Sequence, residues 1–264
     1  MNILFIGDIV GKVGRKALSK NLSFVKEKYD IDFTIANGEN ISNGRGMNEN
    51  HYHFLINNGV NCITLGNHYK DREEIQNYIN FSDEIVRPLN LKDDFPGEGT
   101  KLFDVNGIKI RVTNLLGAAF SKFEVKDPYL ELINVISKDE SDIHIVDFHA
   151  EATGEKKALA YALKGCVSAL IGTHTHVQTN DAQVLNNGTL FISDVGMCGS
   201  YNSVLGDEIN SVVERVILHN DKARFKLLED DDSIFNAVVL KFDDLTLKPL
   251  EIIPINILNR KAQN

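Results

Sequence analysis

Val167-Ser168-Ala169-Leu170-Ile171-Gly172-Thr173-His174-Thr175-His176 is the stretch from which the rest of the chain can be read. The apolar run Val167 to Ile171 predicts a short buried strand, closed by a glycine. Two imidazoles follow with one residue between them. In an extended or turning backbone such a pair can aim two nitrogens into the same small volume. A bound cation is the commonest chemical reason for that arrangement. Two histidines do not complete a coordination sphere, so partners are to be sought at other strand ends.

Toward the N-terminus the same grammar repeats. Ile3 to Ile6 is an apolar run closed by Gly7-Asp8, followed by helical spacing of Val13, Ala17, Leu18, Leu22 and Val25 within Gly11 to Tyr29. Ile31 to Ala36 reads as a strand ending in Asn37-Gly38-Glu39-Asn40, and Asn50 to Asn58 as a helix. Val60 to Leu65 is a further strand, closed by Gly66-Asn67-His68, with a helix expected over Asp71 to Ile79. Strand, polar cluster and helix in repeated order predict βαβ units and a largely parallel sheet. Ligands collect at the carboxyl ends of strands in such sheets.

Arg87 to Thr100, with two prolines and two glycines, reads as a loop. Lys101 to Val105 and Lys109 to Leu115 flank the hairpin signal Asn106-Gly107. Asp127 to Ile136 reads as a helix, Ile143 to Phe148 as a strand ending in His149-Ala150-Glu151, and Lys156 to Leu163 as a short helix. Beyond His176 the pattern changes. Ala182 to Leu185 and Thr189 to Ser193 flank a turn at Asn186-Asn187-Gly188, and Ile209 to His219 is helical. Ala223 to Leu228, Ile234 to Phe242 and Leu247 to Ile255 read as antiparallel strands, with Glu229-Asp230-Asp231-Asp232 as a solvated turn. A parallel first half and an antiparallel second half, with no Pro/Ser-rich linker, predict two sheets packed face to face in one domain spanning 1–264.

Five polar clusters thus follow predicted strands: Asp8, Glu39-Asn40, Asn67-His68, His149 and His174-x-His176. They offer carboxylate, amide and imidazole donors without thiolate, which suits iron, manganese or zinc and not a Cys-rich structural zinc site. The candidates exceed what one tetrahedral ion needs. Two ions sharing a carboxylate use the set more naturally, and such a pair can hold a phosphate and activate a water between them. His51, His53, His144 and His219 lack a comparable setting and read as structural. Lys70, Arg72 and Arg45 are weaker candidates for contacts to a phosphate or nucleotide.

Composition narrows the function further. The net charge of −9 argues against a broad nucleic-acid-binding face, so no stable nucleic-acid complex is expected. Cys62, Cys166 and Cys198 form no C-x-x-C and suggest reduced thiols in a cytoplasmic protein. The start Met1 to Ile6 lacks a basic region and is too short for a signal peptide, and no apolar run approaches a membrane span.

Gly7-Asp8, Gly38-Glu39-Asn40, Gly66-Asn67-His68, Asp147-Phe148-His149-Ala150-Glu151 and Gly172-Thr173-His174-Thr175-His176 resemble the ordered motifs of calcineurin-like metallophosphoesterases. More closely, the chain resembles the bacterial YmdB group of that superfamily, nearly end to end, including Thr179 and Ser193 to Met197. The superfamily commonly has Asp-x-His at the first strand and Asp as the bridging ligand. Here Ile9-Val10 follow Asp8, and Glu39 holds the bridging position; both departures belong to the YmdB group.

The resemblance implies a four-layer αββα sandwich, an α/β fold of two packed mixed sheets flanked by helices. It implies Asp8, Glu39, Asn40 and His176 around a first metal and Glu39, Asn67, His149 and His174 around a second, most simply iron. His68 would be the catalytic acid, protonating the leaving alkoxide as metal-bound hydroxide attacks in line. The substrates implied are small phosphodiesters, cyclic nucleotides such as 2′,3′-cAMP in particular, selected by loops over Ser42 to Met47 and Cys198 to Leu205. The alternatives are a phosphomonoesterase on the same metals and a regulatory protein, linked to a nucleotide or RNA, with little turnover. The oligomeric state is left open, a homo-oligomer included. A metalloprotease would need His-Glu-x-x-His, which is missing.

Overall fold

The side chains of β1 (Asn2–Ile6) alternate between two apolar environments, because successive residues of a strand face opposite ways. Ile3 and Phe5 share a cluster with Ile143, Ile145, Ala169 and Ile171. Leu4 and Ile6 instead pack with Ala17, Leu18, Leu22 and Val25 of α1 (Gly11–Lys28). Both faces of the strand are therefore covered, which explains its unbroken apolar run. The computed structural model, describing residues 1–92, 94–121, 124–230 and 232–261, extends this alternation into four layers. One of the acidic residues expected in a solvated turn, Asp231, lies outside the described residues.

The first sheet is built on four parallel strands: β1, β3 (Phe33–Asn37), β4 (Cys62–Thr64) and β5 (Ile85–Val86). The helix α2 (Glu49–Asn57) joins β3 to β4, and the Asn48 side chain caps it by accepting from the His51 N–H. The second sheet has the order β10-β11-β9-β8-β7-β6. Its strands are β6 (Thr100–Val105), β7 (Ile108–Leu116), β8 (Ile143–His149), β9 (Ala169–Thr173), β10 (Gln183–Leu185) and β11 (Thr189–Ile192). Strands β7, β8, β9 and β11 are parallel, and the edges β6 and β10 are antiparallel. On the outer face of this sheet, Val146, Phe148 and Leu170 pack against Leu132, Leu159 and Leu163. The helices α4 (Pro128–Ile136) and α5 (Thr153–Ala162) supply Leu132 and Leu159.

The expected two-sheet sandwich is present, but its division by halves of the chain is not. The strand β13 (Ser233–Phe242), from the C-terminal part, lies antiparallel against β1 in the first sheet and carries β14 (Pro249–Asn259) at its side. The parallel strands β8 and β9 lie in the second sheet. Apolar alternation reports that a strand is covered but not by which neighbour, so sheet membership was open. Two short strands escape the periodicity altogether: β2 (Asp8–Ile9) and β12 (Met197–Ser200), which pair in parallel and set Met197 beside Asp8.

Ala223 to Leu228 is a correction. Its alternating pattern predicts a strand, yet it forms only an isolated bridge from Leu227 to Asp207. Its apolar residue is used otherwise: Leu227 packs against Gly11 and Gly44, both at positive φ, where a Cβ would stand 2.9 Å and 3.1 Å from its methyl groups. The helix expected over Asp71 to Ile79 shrinks to α3 (Ile75–Tyr78) with a 3₁₀ turn over Ile79–Phe81. That over Ile209 to His219 is α6 (Ile209–Val212) followed by a π turn over Val213–Ile217.

Candidate metal centre

The parallel strands of both sheets end at one place. Past β3, Glu39 and Asn40 are buried in a turn whose start is fixed by Asn37, which accepts from the Glu39 N–H at 3.1 Å. The same amide donates to Leu65 O and to Asp147 Oδ2, both at 3.1 Å, tying β3 to the turn after β4 and to β8 across the sandwich. At Gly66 a Cβ would stand 2.2 Å from Glu39 Oε2 and 2.5 Å from His149 Nε2. Glycine here is a condition of the site. Gly66→Ala is expected to displace both side chains and to cut metal content and activity together, while circular dichroism shows a folded protein.

Two nodes of polar atoms result. His149 Nε2 lies 3.0 Å from Glu39 Oε1, 3.0 Å from Asn67 Oδ1 and 3.0 Å from His174 Nδ1. One ring nitrogen carries a single hydrogen or a single lone pair, so it cannot satisfy three such partners. Asn40 Nδ2 lies 3.2 Å from Asp8 Oδ1, 3.1 Å from Glu39 Oε1 and 3.2 Å from His176 Nε2. An amide has two ends of similar shape, and a half-turn would offer Oδ1 to the same place. Glu39 Oε1 belongs to both nodes. Ligand atoms of Glu39, His149 and His174 all lie within 4.8 Å of one another, as a bound cation requires.

The outward nitrogens of the rings are tied down. His149 Nδ1 meets Thr173 Oγ1 at 2.9 Å, and that hydroxyl donates to Asp147 Oδ1 at 2.7 Å. His174 Nε2 faces Glu151 Oε2 at 3.0 Å, and His176 Nδ1 faces the Leu205 carbonyl at 2.9 Å. Such partners orient metal-ligating imidazoles and fix their tautomers.

Both histidines of the opening motif have positive φ, 102° at His174 and 64° at His176. Such strain persists only where surroundings over-determine it. Here they do. Asp194 Oδ2 accepts from the Thr175 N–H at 2.9 Å, Asp8 Oδ2 accepts from the His174 N–H at 3.1 Å, and Lys156 Nζ donates to Thr173 O at 2.7 Å. Lys156 and Asp194 pair at 2.8 Å with both side chains 1% exposed. Lys156→Met is expected to cost about 3 kcal/mol, the low end for breaking a buried pair, because two backbone N–H groups still serve Asp194. Urea unfolding would measure it.

The site favours positive charge. Burial works to raise Glu39, but the His149 imidazole and then the His68 N–H hold it well below the usual carboxylate range. Burial works to lower His149, and Glu39, Asp8 and Asp147 overcome it, pushing it up to about 9. A proton on His149 thus sits where a cation would. His174, desolvated and beside His149, is pushed down to about 3 and keeps a free lone pair. The thiols are not competitors: burial pushes Cys198 up to about 12 and Cys62 well above its ordinary value.

All of Asp8, Glu39, Asn40, Asn67, His149, His174 and His176 come together here. His68 joins them through its N–H to Glu39 Oε2 at 2.9 Å, with its Nδ1 2.8 Å from Asp71 Oδ2. Arg72 is turned away to Ser42 O and Arg45 O, whereas Arg45 lines the cleft. His51 and His144 bond to Ser42 and Thr113. Sequence reasoning missed Asn37, Gly66, Lys156, Thr173 and Asp194 as supports. Only an alignment of the buried charges Lys156 and Asp194 with the strand ends could have suggested the pair.

Above the nodes the cleft has two lobes. One of about 660 Å³ runs past His68, His174 and His176 to Arg45, Arg215, Arg224 and Phe225. The other, about 490 Å³, runs past Asn67, His68, His149 and His174 to Phe120. Of the loops expected to line the cleft, Ser42 to Met47 and Cys198 to Leu205 contribute Asn43, Gly44, Arg45 and Leu205. Further lining comes from Gly117 to Ser121 and Ala223 to Leu227, which the sequence reading did not assign to the cleft.

A family model described as YmdB-like protein matches residues 4–255. A 2′,3′-cyclic-nucleotide 2′-phosphodiesterase of Bacillus subtilis is 41% identical over 254 residues, 96% of this chain and 95% of the relative. The crystal structure of a novel phosphatase from Mycoplasma pneumoniae superposes with a TM-score of 0.92 at 38% identity, covering 98% of this chain and 93% of that one. A hypothetical protein from Thermus thermophilus gives the same TM-score at 36% identity, over 98% and 100% of the two chains.

Proposed function

The chain is a member of the YmdB-like protein family, and on that premise we propose that it hydrolyses phosphodiesters at a two-metal centre, with 2′,3′-cAMP-like cyclic nucleotides as substrates. The observation that carries this reading is the pair of nodes that share Glu39 Oε1. In this reading Asp8, Glu39, Asn40 and His176 hold one ion, and Glu39, Asn67, His149 and His174 hold the other. The all-oxygen and nitrogen donor set suits iron, with manganese or zinc as alternatives. When bound, the ions supply Lewis acidity for the phosphate and for a water.

The chain's own groups do the remainder. Asp71 accepts from His68 Nδ1–H and sets the ring; as the imidazolium, with a second proton on Nε2, His68 would give that proton to the departing oxygen and be left neutral. Because His68 lines both lobes of the cleft, it meets a substrate lying in either. Its neighbour Asn67 and the bond from its N–H to Glu39 keep it beside the two nodes. Both sheets contribute ligands, which supports taking 1–264 as one domain: neither sheet holds a complete node. Free thiols at Cys62, Cys166 and Cys198 fit a cytoplasmic setting. Among the described residues no helix is long and apolar enough to cross a membrane.

A phosphomonoesterase on the same ions is the second reading, favoured by the cationic Arg215 and Arg224 in one lobe together with Arg45, which lines both, since they would suit a dianion. Iron- or manganese-loaded protein is expected to prefer bis-p-nitrophenyl phosphate to p-nitrophenyl phosphate by about tenfold or more in kcat/KM, roughly 1.4 kcal/mol of transition-state binding. The opposite preference would favour the monoesterase. Absence of turnover on either after loading would remove the enzymatic reading.

A further inference from the structure

The geometry points to Phe120 as a stacking platform for the nucleobase of the substrate, in the smaller lobe of the cleft; this rests on the phosphodiesterase reading above. Three observations meet at this residue. Its side chain is 85% exposed although it is a large aromatic. Its φ is 59°, in a region that bulky residues rarely adopt. It also lines the same lobe as Asn67, His68, His149 and His174. Among the described residues it is the only phenylalanine or tyrosine with positive φ.

Exposure alone does not single the ring out, since Phe81 is 87% exposed; the loop that presents it does. Glu155, in the first turn of α5, accepts from the Ala118 N–H at 2.7 Å and from the Ala119 N–H at 3.2 Å. Gly117 makes room for that carboxylate: a Cβ there would stand 2.6 Å from Glu155 Oε2 and 2.4 Å from Ala150 Cβ. Gly117 N–H also donates to His149 O at 3.0 Å, joining the loop directly to a candidate ligand. The backbone leading to the ring is therefore fixed relative to the metal nodes as far as Ala119.

The two lobes differ chemically. Around Phe120 the lining combines Leu116, Gly117, Ala119 and Ala150, a small apolar floor that suits a planar base, with the charged Arg45, Asp71 and Glu151. Its volume of about 490 Å³ falls in the range of small-molecule sites, roughly 300–1,000 Å³. Arg45 lines both lobes; the other lobe alone holds Arg215, Arg224 and Asp207 around Phe225, a charged lining better matched to phosphate oxygens. Stacking is indifferent to hydrogen-bond pattern but grows with ring area, so this platform would favour purines over pyrimidines.

The test compares wild type, Phe120→Ala, Phe120→Trp and Phe225→Ala, all metal-loaded, on 2′,3′-cAMP, 2′,3′-cCMP and the base-free glycerol 1,2-cyclic phosphate. Phe120→Ala is expected to lower kcat/KM for 2′,3′-cAMP about 5- to 100-fold, mainly through KM, and less for 2′,3′-cCMP. Turnover of the base-free diester should stay within about twofold, and Phe120→Trp should keep the purine preference. Equal losses on all three substrates, no loss on any, or a purine preference that collapses in Phe225→Ala instead would overturn the assignment. Wild-type protein that turns over none of the three would sink the phosphodiesterase reading. In that event the affinity for adenosine 3′-phosphate by calorimetry still decides the platform: weaker binding by Phe120→Ala supports it, and equal binding overturns it.

Discussion

His149→Ala is expected to leave a folded protein that retains little metal and has lost about 10³-fold or more in diesterase kcat/KM, some 4 kcal/mol of transition-state stabilisation. The size follows from where the ring sits. His149 Nε2 is the centre of one node, with Glu39, Asn67 and His174 each at 3.0 Å. Its loss would remove a donor from that node and leave Glu39, buried at 1% exposure, without the imidazole 3.0 Å from its Oε1. The second node would weaken with it, because Glu39 Oε1 serves both. Metal analysis and the diesterase assay should therefore fail together; full activity in metal-replete His149→Ala would be incompatible with these nodes as the catalytic centre.

His68→Ala should separate the two readouts. The ring contributes no atom to either node; only its N–H touches Glu39, and alanine keeps that group. Metal content is expected to match wild type, while kcat falls about 10²- to 10⁴-fold, the usual contribution of a positioned general acid. The loss should be smaller for bis-p-nitrophenyl phosphate than for 2′,3′-cAMP, since nitrophenolate leaves without needing a proton as an alkoxide does. Equal and full activity on both substrates would remove His68 from the chemistry. Loss of metal would instead make it a ligand.

Most ligand candidates were legible because each parallel strand announces itself as an apolar run, and its C-terminal end is where polar residues cease to fit the sheet. That rule placed Glu39, Asn67, His149 and His174 without knowledge of which strands are neighbours. It also put Asp8 in place, although Asp8 stands in a two-residue strand whose partner, β12, is too short and glycine-containing to show periodicity. The supports were harder. Lys156 reads as an ordinary helix lysine until α5 is packed on the second sheet and its amine reaches Asp194.

Gly66 carries no chemistry of its own, and only the Glu39 and His149 atoms beside it reveal its role. Ala223 to Leu228 shows the opposite failure. Alternation there is genuine, but the segment passes over the cleft and its Leu227 fills the space left by Gly11 and Gly44. Of the alternating apolar residues Leu227 is partly covered while Phe225 is 52% exposed, so periodicity does not distinguish a sheet from a loop lying across a site.

The central claim is that His174 and His176 serve different ions, with Glu39 between them. His174 Nδ1 faces His149, His176 Nε2 faces Asn40, and the two rings are held apart by positive φ on either side of Thr175. Metal stoichiometry of wild type, His174→Ala and His176→Ala after identical iron loading tests this directly. About two ions per chain are expected in wild type and about one in each variant, as for two adjoining sites that share Glu39 but take one histidine of the pair each. One ion in wild type, or two ions retained in both variants, would contradict it.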